Sequence, residues 1–147
     1  MQSDKGMTII VKKMTQVLVG IIVLFGVYII TYGHLTPGGG FAGGTIIAGA
    51  FILLVLAYGD DIMHLRVTKE GSSKLENLAI FMFLLFAIPG LFMIPSVFFR
   101  NYLPLGTVGE LLSAGVIPLF NIFIGIEVAA ALFTIFLAFV ILKEEDK

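Results

Sequence analysis

From Met14 to Gly59 the chain runs for 46 residues without one Asp, Glu, Lys or Arg, and Asn77 to Phe99 adds 23 more. A water-soluble domain cannot hide runs of that length, whereas a bilayer-crossing helix needs roughly 20 mostly apolar residues. Composition agrees: 59% of the 147 residues are hydrophobic and 13% charged, against about 25% charged in a typical soluble domain. The chain reads as an all-α integral membrane protein. Its formal net charge of −1 gives no electrostatic footprint for nucleic acid. With no cysteine, disulfides, iron–sulfur clusters and thiolate zinc sites are excluded. No polar stretch is long enough for a soluble catalytic domain, and the first apolar run is too long, with no small-residue cleavage site before Gly33, for a cleaved signal peptide.

Four spans are expected, at about 14–32, 42–58, 75–98 and 118–142, with a glycine-rich outer loop at 33–41. Pro37 and the glycines around it cannot continue a lipid-facing helix. An even number of spans puts both termini and the middle loop on one side. That side would hold Lys5, Lys12, Lys13, Arg66, Lys69, Lys74, Lys143 and Lys147, with Arg100 alone opposite. The positive-inside rule then makes both termini cytoplasmic, in a multi-pass protein of the cytoplasmic membrane. Pro89-Gly90 predicts a bend in the third span. Thr107 and Glu110 fit a capping box, which with Leu111, Leu112 and Val116 predicts a short interfacial helix at about 107–116. No internal repeat of the self-contained transporter kind is visible.

Gly38, Gly40 and Gly43 match the letters of a dinucleotide fingerprint, with Asp60 and Asp61 near the ribose-binding spacing. The strand and βαβ unit that give the fingerprint meaning are missing. Gly40, Gly44 and Ala48 stand four residues apart instead, the small-residue spacing that lets helix backbones approach, with Thr45 and Gly49 as a second row. Gly125 and Asn121 are further packing candidates on the fourth span.

The run Gly33-His34-Leu35-Thr36-Pro37-Gly38-Gly39-Gly40-Phe41-Ala42-Gly43-Gly44 resembles the signature of the MnhB/MrpB family. These are small membrane subunits of multi-subunit Mrp-type Na⁺/H⁺ antiporters and of the related sodium module of archaeal membrane-bound hydrogenase-type complexes. The resemblance covers most of the chain, including Pro118 to Gly125. It implies a non-catalytic subunit, without cofactor or resident metal, whose partners are other antiporter-like and small Mrp-type membrane subunits, the lipid bilayer, and Na⁺ and H⁺ as transported ions.

Glu127 is the one ionisable residue in the interior of an expected span. A lone intramembrane carboxylate costs several kcal/mol unless it is paired, protonated or facing water, and such acids mark ion pathways. The competing reading is a hydrogen-bonded acid that keeps a neighbouring subunit in register. Thr134, seven residues on, shares its face, whereas Asn121 points about 120° away. His34 beside the glycine loop is a proton-handling candidate or a loop-ordering donor. His64 falls on the opposite side of the membrane, so no shared metal site is possible. Asp60, Asp61, His64 and Arg66 could gather cations or form a solvated loop. Two functions remain: an ion-pathway subunit with Glu127, Thr134 and His34 as candidates, or a scaffold that packs larger subunits without lining a path. An independent channel and a membrane enzyme are weaker, for want of a polar pore lining or a nucleophile–base pair.

Overall fold

A computed structural model describes residues 6–59, 62–93, 95–111 and 113–145. Lys5, Asp60, Asp61, Leu112 and Lys147, which figure in the sequence reading, lie outside the described residues. The architecture is all-helical: α1 (Ile9–Thr31), α2 (Gly40–Tyr58), α3 (Ile62–Ala87) and α4 (Ile117–Glu145), with a 3₁₀ turn at Ile88–Phe92 after α3 and no strand among the described residues. All four helices are long and apolar enough to cross a membrane. In lipid the backbone must satisfy its own hydrogen bonds, which is why such sequence folds as helices.

The helices pack in the order α1, α2, α4, α3, with α4 holding the two halves together. Glycines set the distances. A β-carbon on Gly26 of α1 would stand 3.1 Å from the Gly43 carbonyl of α2, and one on Gly43 would stand 2.6 Å from the Gly26 carbonyl. α2 then runs parallel to α4, with Phe51 against Phe133 at 5.7 Å between ring centroids and Val55 on the buried pair Leu137 and Ile141. α3 runs antiparallel to α4: Ser72 donates to the Ala130 carbonyl at 3.0 Å, and Phe83 and Phe86 meet Phe120 and Phe123 at 4.9 and 5.2 Å. Among the described residues α2 and α3 do not pack on each other. Between them lies an apolar crevice of about 610 Å³ floored by Gly125, Ala129, Ala130 and Phe133.

Two expectations are corrected here. The third helix begins at Ile62, 13 residues before the expected 75, and its α-helical part stops at Ala87 instead of bending through Pro89. Pro89 has no N–H for the next helical bond and its ring crowds the preceding turn, so the chain tightens to a 3₁₀ turn and then doubles back. The returning strand of chain satisfies the orphan carbonyls: Val97 N–H donates to Gly90 and Phe99 N–H to Ala87, while the Tyr102 hydroxyl donates to Phe86.

The segment 107–116 is not a helix; its described residues form turns. The Thr107 hydroxyl bonds the Glu110 carboxylate itself at 2.8 Å, not an amide of a following helical turn. Gly106, Gly109, Ala114 and Gly115 all have positive φ, which interrupts any helical run.

Candidate functional site

The glycine loop begins where α1 ends. The Tyr32 carbonyl accepts from the Leu35 and Thr36 amides at 2.8 and 2.9 Å and from the Thr36 hydroxyl at 3.1 Å, closing a compact turn. Gly38 and Gly39 have φ of 151° and 91°, a region other residues enter only with strain. The loop is then pressed against the first turn of α4. A β-carbon on Gly33 would come 3.0 Å from Asn121 Nδ2, and one on Gly39 3.5 Å from Asn121 Oδ1. Gly40 lies on the Asn121 carbonyl and on Ile124, and Gly44 on the Gly125 carbonyl. Gly125 in turn admits Ile30 of α1, whose Cγ1 would be 2.9 Å from an added β-carbon. Ala48 continues the buried row. Gly49 does not belong to it: it is exposed, and a β-carbon there would meet nothing within 4 Å. Thr45 is exposed too and donates to its own helix, at Phe41 O, 2.9 Å away. Pro37 and Phe41 face outward.

His34 is half-buried. Its Nε2 lies 3.4 Å from the Glu110 carbonyl, which joins the loop to the turns before α4, and its Nδ1 is buried without a partner among the described residues. Glu127 stands elsewhere, on the α3-facing side of α4. It is half-buried and lines a cavity of about 230 Å³ with Ala79, Ile80, Phe83, Phe123 and Ile124. Among the described residues no hydrogen bond or ion pair to Glu127 is present. Thr134, two turns along, has a buried hydroxyl that also lacks a partner among the described residues. Asn121 faces the glycine loop, so Asn121 and Glu127 form two places, not one. Among the described residues no group of three or more His, Asp or Glu is arranged to hold a metal, and Asp60 and Asp61 are outside them.

One acid escapes the sequence reading. Glu76 is half-buried and follows Ser72 by four residues on the stripe that continues to the buried Ala79 and to Phe83. That stripe faces α4, so Glu76 shares the α3–α4 seam with Glu127. Its spacing of four, seven and eleven residues was the available signal, masked by Lys69, Glu70 and Lys74, which made the segment look like a loop.

Comparison with known proteins now bears on this geometry. Residues 10–134 match the family described as a domain related to the MnhB subunit of Na⁺/H⁺ antiporter. The chain belongs to the MnhB family. The matched MnhB region takes in the glycine loop, the α2–α4 glycine row, Glu76, Glu127 and, as its last residue, Thr134. A protein named antiporter subunit mnhB2 from Staphylococcus haemolyticus is 33% identical over 132 residues, 88% of this chain and 92% of the relative. An uncharacterised protein of Methanocaldococcus jannaschii is 37% identical over 120 residues, 78% of this chain. A Staphylococcus epidermidis mnhB2 subunit is 46% identical over 50 residues. The matches span 45% of the archaeal relative's length and 36% of the Staphylococcus epidermidis one, so likeness to those two concerns part of each.

Proposed function

We propose that this MnhB-family chain is a non-catalytic subunit of a multi-subunit Mrp-type Na⁺/H⁺ antiporter in the cytoplasmic membrane, or of the Mrp-like module of a membrane-bound hydrogenase-type complex. It contributes Glu127 to the route by which sodium and protons cross. The observation that carries this reading is a carboxylate inside a membrane-length helix, facing a cavity of about 230 Å³ and lacking a partner among the described residues. A carboxylate in that setting is retained against its desolvation cost when it exchanges a proton or a cation, or meets a group supplied by another subunit. Family membership and the mnhB2 relatives support the antiporter as host. Asn121, Gly40 and Gly44 hold α4 against α2, and α4 carries Glu127 to the seam with α3.

The test is Glu127→Gln in the assembled complex. The amide keeps the side chain's size and removes its exchangeable proton and charge. Sodium-dependent proton exchange in membrane vesicles should fall about a hundredfold, the lower end of what a positioned acid–base group contributes, with subunit composition unchanged. An intact complex exchanging at the original rate would leave the chain as a scaffold.

A further inference from the structure

Three threonines set a pattern that a fourth breaks. Thr31 of α1, Thr45 of α2 and Thr68 of α3 each donate to the carbonyl four residues back (those of Val27, Phe41 and His64) at 3.0, 2.9 and 2.8 Å. A threonine hydroxyl inside a helix ordinarily turns to that carbonyl. Thr134 of α4 does not: its hydroxyl is buried and without a partner among the described residues. The carbonyl four residues back is that of Ala130, and there the Ser72 hydroxyl of α3 donates at 3.0 Å. A backbone carbonyl has two lone pairs. One of Ala130's takes the helical N–H of residue 134, and Ser72 fills the other. The acceptor that Thr134 would use is full.

We infer that Ser72 is a positioning residue for the proposed route: by occupying the Ala130 carbonyl it denies Thr134 its own-helix acceptor and keeps that hydroxyl available on the Glu127 face. Positions 127, 130, 134 and 137 fall within about 80° of arc at 100° per residue. Ala130 and Leu137 are buried, so the face that carries Glu127 and Thr134 is turned inward. Thr134 stands about 10 Å along the axis from Glu127 at 1.5 Å per residue, beyond a direct hydrogen bond. It is a second polar station on that face, with its proton and its lone pairs free for water or a hydrated cation. Among the described residues α4 is the only one of the other three long helices on which α3 packs. Any displacement of α3 that lifts Ser72 from Ala130 returns the carbonyl to Thr134 and closes the station. The inference rests on the route proposed above and adds to it the residue that keeps Thr134 open.

Ser72→Ala imitates the displaced state, and a double-mutant cycle with Thr134→Val reads it. In the purified chain, unfolded in micelles by denaturant, Ser72→Ala should lower the folding equilibrium constant by less than about twofold, because the Thr134 hydroxyl moves onto the vacated acceptor. In the Thr134→Val background nothing replaces Ser72, and the same substitution should lower it about fivefold, the worth of one net hydrogen bond. Equal losses in the two backgrounds would show a bond indifferent to Thr134 and overturn the inference. In the assembled complex Ser72→Ala should slow sodium-dependent proton exchange by the same factor as Thr134→Val, and the double variant should be no slower than either. Ser72→Thr keeps the donor, has the crevice beside it for the added methyl, and should exchange at the original rate. Unimpaired exchange in Ser72→Ala, or losses that multiply in the double variant, also overturns the inference; if Glu127→Gln is still slow, the proposed function stands without Ser72. If Glu127→Gln is unimpaired as well, both fall.

Discussion

The backbone of Gly44 lies so close to that of Gly125 that a β-carbon on Gly44 would stand 2.6 Å from the Gly125 carbonyl oxygen. The next atoms are the Val128 β-carbon at 3.0 Å and the Ala129 amide nitrogen at 3.2 Å, all fixed to the α4 backbone, so none can move aside without shifting a helix. Gly44→Ala should therefore destabilise the fold by about 1–3 kcal/mol, the usual cost of overpacking. Gly49→Ala, five residues on and facing open space, should change stability by less than about 0.5 kcal/mol. Denaturant unfolding of the purified chain in micelles, followed by circular dichroism, checks both. Equal effects at the two positions would mean that α2 does not meet α4 through this row.

Glu76 and Glu127 share the α3–α4 seam, and if both serve the proposed route their effects are coupled. In the assembled complex Glu76→Gln should slow sodium-dependent proton exchange by about a hundredfold, the lower end for a positioned acid–base group. Glu76→Gln combined with Glu127→Gln should lose less than the two single losses multiplied, since groups acting as a unit are not additive. Rates that multiply cleanly would separate Glu76 from the route.

The four membrane-length helices were legible because charge-free runs of such length have no other physical outcome. The start of α3 was not. Lys69, Glu70, Lys74 and Glu76 signal a solvated loop by composition, yet Lys and Glu are good helix formers, and Ser72 and Ala79 give that stretch a face to lay on α4. Small-residue spacing at 40, 44 and 48 is visible in the sequence, but which helix it meets is not, and neighbouring Gly49 carries the same letters without the contact. Asn121 shows the same limit: its type announces a hydrogen-bonding residue, while its place against Gly33 and Gly39 depends on how α1, α2 and α4 converge. At 107–116 the capping letters were right for a helix start, and the positive φ of Gly109, Ala114 and Gly115 decided otherwise.

Asn101 is the pin of the segment that returns to α4. Its Oδ1 accepts from the Leu103 amide at 3.3 Å and from the Val116 amide at 3.1 Å, and Val116 is buried. Asn101→Ala leaves the Val116 donor unsatisfied, which should cost about 1–3 kcal/mol. The loss should be local. Hydrogen exchange at the Val116 amide should speed up by at least about tenfold, following from about 1.4 kcal/mol per decade, with amides in the middle of α2 unchanged. Unaltered exchange at Val116 would show that Asn101 does not carry this turn.

Thr134 sets stability against use. Its hydroxyl is buried and has no hydrogen-bond partner among the described residues, a state that costs roughly 1–3 kcal/mol relative to an apolar group of the same shape. Thr134→Val keeps the branched outline and removes the polar atom, so the purified chain should gain about 1 kcal/mol in denaturant unfolding. Thr134→Ala removes the unpaired hydroxyl as well but leaves a void where the branch was, and should gain less. A residue that weakens its own fold is expected where something outside the chain engages it, and Thr134 lies two turns from Glu127 on the same helix. In the assembled complex Thr134→Val should accordingly slow sodium-dependent exchange even as the isolated chain becomes harder to unfold. A variant both more stable and equally active would remove Thr134 from the route and leave Glu76 and Glu127 to define it.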